Sequence, residues 1–182
     1  MAAISISNLI QQEAIAQGVP PSIALAVAKQ ESGTAQWNAD GSVVTSSANA
    51  QGVFQLEPLT AAGLGVDPTD LAQNIQGGIA YLKQMYAQFG NWPTALAAYN
   101  FGPGNVAAGK PLPTETQNYV ASVTGMAGSV AGVVASAAAA ISSPVASSGD
   151  VLASIVPGGV PMLAIAALIG LGALAWWLAV EE

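Results

Sequence analysis

Apolar side chains recur at helical spacing through much of the first 124 residues. The clearest stretch is Pro68 to Phe89. There Leu71, Ile75, Ile79, Leu82, Tyr86 and Phe89 follow one another at intervals of three and four, and Gly90 supplies the stop. Ile6 to Gly18 reads as a short amphipathic helix closed by its glycine. A second helix runs from about Pro21 to Ser32, because proline suits a first turn where its missing N–H has no partner anyway. Ile23, Leu25, Ala26 and Val27 leave it little polar face, which places it centrally. Trp37 to Gln51 breaks the rhythm. Asp40-Gly41 signals a turn, and the polar, β-branched run that follows predicts a long loop with a short hairpin. Short helices are expected over Pro58–Leu64 and Trp92–Tyr99, the second broken by the run NFGPGN. Thr114 can cap a last helix through about Thr124.

Beyond that point the pattern changes. From Gly125 to Asp150 the chain is Ala, Gly, Ser and Val with nothing aromatic to fill a core, so it reads as a flexible or weakly helical linker. Met162 to Val180 is free of charged and strongly polar residues for 19 positions. As a helix that run spans about 28 Å, close to the hydrocarbon thickness of a bilayer. Trp176 and Trp177 fall where aromatic belts lie, and Glu181 and Glu182 follow in water. The expected organisation is a helical domain over 1–124, a linker over 125–159, a transmembrane helix over 160–180 and an acidic end at 181–182.

Composition narrows the function. The 182 residues suit one core and a tail. Only 7% are charged and 52% are hydrophobic, a balance that points to a membrane segment. Three basic residues against ten acids, a net charge of -7, exclude the cationic footprint that nucleic acid requires. Without cysteine or histidine there is no disulfide, no thiol nucleophile and no zinc site of the His/Cys type. No metal or other cofactor is expected. The first residues, MAAISISNLIQQEA, lack the basic and apolar regions of a secretory signal.

Among the carboxylates Glu31 stands apart. A lone Glu on a helix is ordinarily a solvated surface residue. This one ends an almost wholly apolar helix, precedes a stop at Ser32-Gly33, and is followed by a polar loop suited to a polar ligand. Burial beside apolar groups would raise its pKa and keep it protonated, as a general acid requires.

Three segments turn that suggestion into a family resemblance. AVAKQES (Ala26 to Ser32), AQGVFQLEPLTA (Ala50 to Ala61) and ALAAYNFGPGNV (Ala95 to Val106) together resemble the soluble lytic transglycosylases of the lysozyme-like superfamily. NIQGGIAYLKQM (Asn74 to Met85) and ETQNYV (Glu115 to Val120) are similar to that family's connecting and closing helices. The resemblance covers roughly Ser7 to Val123. It implies an all-α, lysozyme-like fold and a single catalytic acid/base, Glu31, with Ser32 as the small polar residue beside it. It also implies that Gln55 lines a sugar cleft, that Gly52 lets backbone approach substrate, and that Phe54 forms an apolar sugar platform. Tyr99 would hydrogen-bond and orient Glu31, with Asn100 in the same site. Ser46 or Ser47 would contact the muramyl sugar.

The implied reaction is cleavage of peptidoglycan between N-acetylmuramic acid and N-acetylglucosamine without water, leaving a 1,6-anhydro end. Two acids keep a hydrolytic muramidase open: Asp40 on the loop after Glu31, and Glu57, at a position often apolar in relatives. Hydrolytic glycosidases use two carboxylates. The ordinary reading of both is a solvated loop or helix-end acid. A noncatalytic peptidoglycan-binding or membrane-structural protein of the same fold is the other alternative. The expected partners are glycan strands, a lipid membrane and other virion membrane proteins, with no nucleic acid. The expected location is the virion membrane of a phage, otherwise a bacterial envelope, since a phage enzyme that meets the wall from outside needs no secretion signal.

Overall fold

The computed structural model describes residues 5–142. Seven helices make up the ordered elements: α1 (Ile6–Gln17), α2 (Pro21–Ser32), α3 (Pro58–Leu64), α4 (Leu71–Phe89), α5 (Trp92–Phe101), α6 (Pro103–Ala107) and α7 (Thr114–Ser142). The all-α expectation holds over these residues. Helices α1 and α2 are set by their ends. The Ser5 hydroxyl accepts from the Asn8 amide at the start of α1, and Pro21 opens α2 in its first turn. Both stop at a left-handed glycine, Gly18 and Gly33.

The centre is one hydrophobic cluster. Helix α2 contributes Ile23, Ala24, Ala26, Val27 and Ala28, α4 contributes Ile75, Ile79 and Leu82, and Ile10, Leu96, Tyr119 and Val123 arrive from α1, α5 and α7. Helix α4 packs on α1, α3 and α5, which makes it the spine of the domain. The small residues of α2 let its backbone lie close to its neighbours, and Glu31 emerges at the end of this rigid rod.

Residues 34–57 form no strand. Three isolated antiparallel bridges shape them: Trp37 with Val43, Thr45 with Gln51, and Gln51 with Leu56. The first closes around the Asp40-Gly41 turn, where the Asp40 carboxylate accepts from the amide and hydroxyl of Ser42. Two buried polar side chains hold this loop to the body. Gln36 donates to the carbonyls of Pro68 and Thr69 and accepts from the Val53 amide at 2.8 Å. Asn74, on α4, accepts from the Phe54 amide at 2.9 Å and donates to the carbonyls of Gln51 and Pro68, both at 2.8 Å. Buried backbone polar groups need partners, and these two amides supply them where no sheet does.

Several boundaries differ from the pattern. The longest expected helix begins at Leu71 rather than Pro68, because Asp67 ties up Thr69 in a turn and Asp70 caps the Gln73 amide. Helix α5 continues two residues past Tyr99 to Phe101. NFGPGN breaks the chain at Gly102 and at once starts α6 with Pro103 at its first position. The last helix does not end near Thr124 but continues to Ser142. Val123 and Ala127 are buried and Met126 packs on the core, so tertiary contact carries the helix through Gly125. Residues 143–159 of the expected linker, and the expected transmembrane helix over 160–180, lie outside the described residues. No helix among the described residues is long and apolar enough to cross a membrane.

Candidate active site

A cleft of about 480 Å³ opens beside the end of α2, with walls from the 46–57 loop, α3, α4, the end of α5 and the start of α7. Glu31, Ser46, Gln55, Tyr99 and Asn100, all expected in a site, line it together. So do Glu57, Tyr81, Phe101 and Glu115. A larger depression of about 670 Å³ lies among Ser7, Leu25, Lys29 and Met126, but it has neither a carboxylate nor a phenol on its wall. The smaller, more polar cleft is the one that holds carboxyl and phenol groups.

Glu31 sits half-buried in the last turn of α2. The Tyr119 hydroxyl donates to its Oε1 at 2.6 Å. Burial raises the carboxyl pKa to about 7, and the Tyr119 hydrogen bond pulls the other way, by favouring the anion. Glu31 is therefore largely protonated in mildly acidic water and ionises near neutrality, the poise of a group that gives a proton and takes one back. The phenols of Tyr99 and Tyr119 are pushed far up by burial and then by the nearby Glu31 charge, so both remain O–H donors.

Two expected roles, those of Tyr99 and Phe54, are corrected. Tyr99 does not bond Glu31; its hydroxyl donates to the Phe54 carbonyl at 2.8 Å and braces the loop, and Tyr119 is the partner of the acid. Ser32 follows Glu31 in the chain but is not among the residues that line the cleft. Its hydroxyl donates to the Val53 carbonyl at 2.9 Å and accepts from the Ala35 amide, which ties the loop to the helix end. Gly52 meets a packing requirement: at φ +75° its α-carbon lies against Asn74 and Gln36, where a Cβ would collide with both side chains. Phe54 is fully buried, not a platform, and fills the space over Gly78.

The remaining assignments fall in the cleft wall. Gln55 takes a left-handed φ of +46° and donates to the carbonyls of Val44 and Gly52. Such a conformation is unfavourable for a side chain with a Cβ and is held by those bonds. The Asn100 Oδ1 accepts from Thr116 Oγ1 at 2.8 Å, which orients the amide on the rim. Ser46 accepts from the Ala50 amide. Asp40 is fully exposed, is not among the cleft residues, and has its pKa lowered by the Ser42 bonds. Glu57 does reach the cleft. It precedes α3 yet makes no capping hydrogen bond with its side chain, and its charge, after burial, raises the Tyr81 phenol pKa. Tyr81, Phe101, Glu115 and Tyr119 each lay within segments picked out by sequence. Their helical positions gave no sign of which faced the cleft. Among the described residues no group of three acids is placed to hold a metal ion.

Comparison with known proteins agrees in fold and in sequence. A family model described as "Transglycosylase SLT domain" matches residues 8–119. The soluble lytic murein transglycosylase of Escherichia coli (strain K12) is 34% identical over 118 residues, covering 57% of this chain and 17% of the relative. The transglycosylase of Enterobacteria phage PRD1 is 40% identical over 83 residues, covering 43% of this chain and 29% of the relative. Among solved structures, the 70 kDa soluble lytic transglycosylase from Escherichia coli superposes with a TM-score of 0.55 at 32% identity, over 66% of this chain and 23% of that one. The chain thus spans less than a third of the length of either curated relative.

Proposed function

The chain belongs to the transglycosylase SLT domain family, and on that premise we propose that it is a peptidoglycan lytic transglycosylase with Glu31 as its one acid and base. The observation that carries this reading is the Glu31 carboxyl itself, held by Tyr119 at the edge of a polar cleft and raised to about 7. Protonated Glu31 gives its proton to the glycosidic oxygen as that oxygen leaves the anomeric carbon of the muramyl sugar. The acetamido group of the same sugar steadies the positive charge. The Glu31 carboxylate then takes the proton of the six-hydroxyl, whose oxygen bonds to the anomeric carbon. One bond forms, one breaks, the proton returns to Glu31 and no water is consumed. Gln55, Asn100 and Ser46 offer the amide and hydroxyl groups that a glycan needs along such a cleft.

Hydrolysis is the second reading, and Glu57 is what favours it, because an acid on the cleft wall could direct water to the same carbon. Mass spectrometry of the products separates the two: anhydro-muramyl ends differ from reducing ends by one water. Anhydro ends are expected from the wild-type chain and from Glu57→Gln; reducing ends that vanish in Glu57→Gln would replace the transglycosylase reading with a muramidase.

The uncharged run Met162–Val180 supports a membrane anchor for the catalytic domain. The likeness to a phage transglycosylase supports a phage setting, with local opening of the wall during infection as the task; the uncharged run is what would then place the chain in a virion membrane, beside other virion membrane proteins.

A further inference from the structure

Three aromatic rings lie on the cleft wall: Tyr81, Tyr99 and Phe101. The first two are occupied. They pack against each other with centroids 5.2 Å apart, and both rest on the hydrophobic clusters beneath. Phe101 differs. It is half-buried, lines the cleft, and joins neither hydrophobic cluster among the described residues. A phenyl ring has no polar atom to satisfy, so its position among Ser46, Gln55, Asn100 and Glu115 serves neither hydrogen bonding nor the core. Its backbone is firmly held. The Phe101 carbonyl accepts from Asn105 Nδ2 at 2.7 Å, and the Gly102 amide donates to the Ala98 carbonyl at 2.9 Å. Gly102, at φ +90°, then turns the chain sharply into α6.

We propose that Phe101 is a specificity-determining residue of the cleft, its ring stacking on the apolar face of one pyranose of the bound glycan. In a β-1,4-linked chain the ring substituents are equatorial, so each sugar presents axial C–H bonds on its faces. Those hydrogens carry partial positive charge and suit the negative face of an aromatic ring, while the rim hydroxyls remain free for the amides around it. This is the platform role that sequence comparison assigned to Phe54, carried out 47 positions along the chain by a residue beside Asn100. The proposal rests on the glycan-cleaving reading given above.

The test uses the full chain with Phe101→Leu, Phe101→Ala and Phe101→Tyr, assayed on purified uncrosslinked glycan strands. A parallel set in the Glu31→Gln background measures affinity for the same strands by calorimetry. Leu keeps the apolar bulk and removes the π face. The Leu and Ala variants should raise KM and the dissociation constant about tenfold, the factor that about 1.4 kcal/mol makes, with a much smaller change in kcat. Tyr should stay near wild type. A Leu variant equal to wild type overturns the proposal, and so does a Tyr variant no better than Leu, or a loss that falls on kcat alone. A wild-type chain that binds strands through Phe101 without cutting them would retain the stacking and remove the cleavage reading. One that neither binds nor cuts them removes both.

Discussion

At the scale of single residues, the role that the motif resemblance gave Tyr99 falls to a tyrosine twenty positions further on, to which it gave none. Tyr99 braces the Phe54 carbonyl and Tyr119 holds the acid. This yields a prediction with a sign. The Tyr119 bond lowers the Glu31 pKa, so Tyr119→Phe should move the alkaline fall of kcat/KM, set near pH 7 by the wild-type carboxyl, to higher pH. Tyr99→Phe should leave that midpoint in place and lower stability instead. A pH–rate profile in which Tyr99→Phe shifts the midpoint and Tyr119→Phe does not would restore the original assignment. Glu31 also carries a stability consequence. Its folded pKa of about 7 lies above the ordinary value of 4.5, so the folded state binds the extra proton between them. Stability therefore falls as pH rises through that window, and the penalty is fully present above about pH 7, on the order of 3 kcal/mol at most. Glu31→Gln should abolish cleavage. It should also melt higher than wild type at pH 8, with the two converging near pH 4. Equal midpoints at both pH values would contradict the burial assigned to the carboxyl. Glu31 could be picked out from sequence because a charged residue at the end of an apolar helix is a local signal. Its partner could not, since which phenol reaches it depends on how α5 and α7 pack.

At the scale of elements, helices were legible where apolar periodicity and glycine stops coincide, as in α1, α2 and α4. What was not legible is how an irregular loop is held. Residues 34–57 depend on Gln36 and Asn74, which look from sequence like ordinary surface amides yet are fully buried. Each replaces a missing strand partner for the backbone that carries Gln55 into the cleft. Asn74→Ala would strand the Phe54 amide and take one of two donors from each of the Gln51 and Pro68 carbonyls, which keep Leu56 N–H and Gln36. It should cost about 3 kcal/mol in a urea titration and reduce activity more than a surface substitution of equal cost. A loss below about 0.5 kcal/mol would show that the loop does not rely on this bracket. The same geometry explains why Phe54 was misread. It belongs to a motif in which Gly52 and Phe54 hold the loop from behind, while Gln55 and Glu57 face the cleft.

At the scale of the whole molecule, one helix gathers much of the cleft and its bracing. Helix α7 supplies Glu115 to the cleft, Thr116 to Asn100, Tyr119 to Glu31 and Ser122 to Gln30. Composition alone placed the domain boundary near Thr124, because alanine and glycine without aromatics resemble a linker. The contacts of Met126 and Ala127 argue for a longer folded unit. Truncation distinguishes the two limits. A chain cut after Ser142 should melt within a few degrees of the full protein and cleave soluble glycan fragments at a similar rate. A chain cut after Thr124 removes Met126 and Ala127, frays the helix that holds Glu31, and should melt roughly 5–10 °C lower, as a loss of one to two kcal/mol implies for a domain of this size. Equal melting of the two would return the boundary to Thr124. Flotation with lipid vesicles then tests the anchor independently: the full chain should rise with the lipid, and the chain cut after Ser142 should stay behind. If the shorter chain floats as well, membrane attachment lies in the helical domain and Met162–Val180 is not the anchor. If neither floats, Met162–Val180 serves some purpose other than the bilayer.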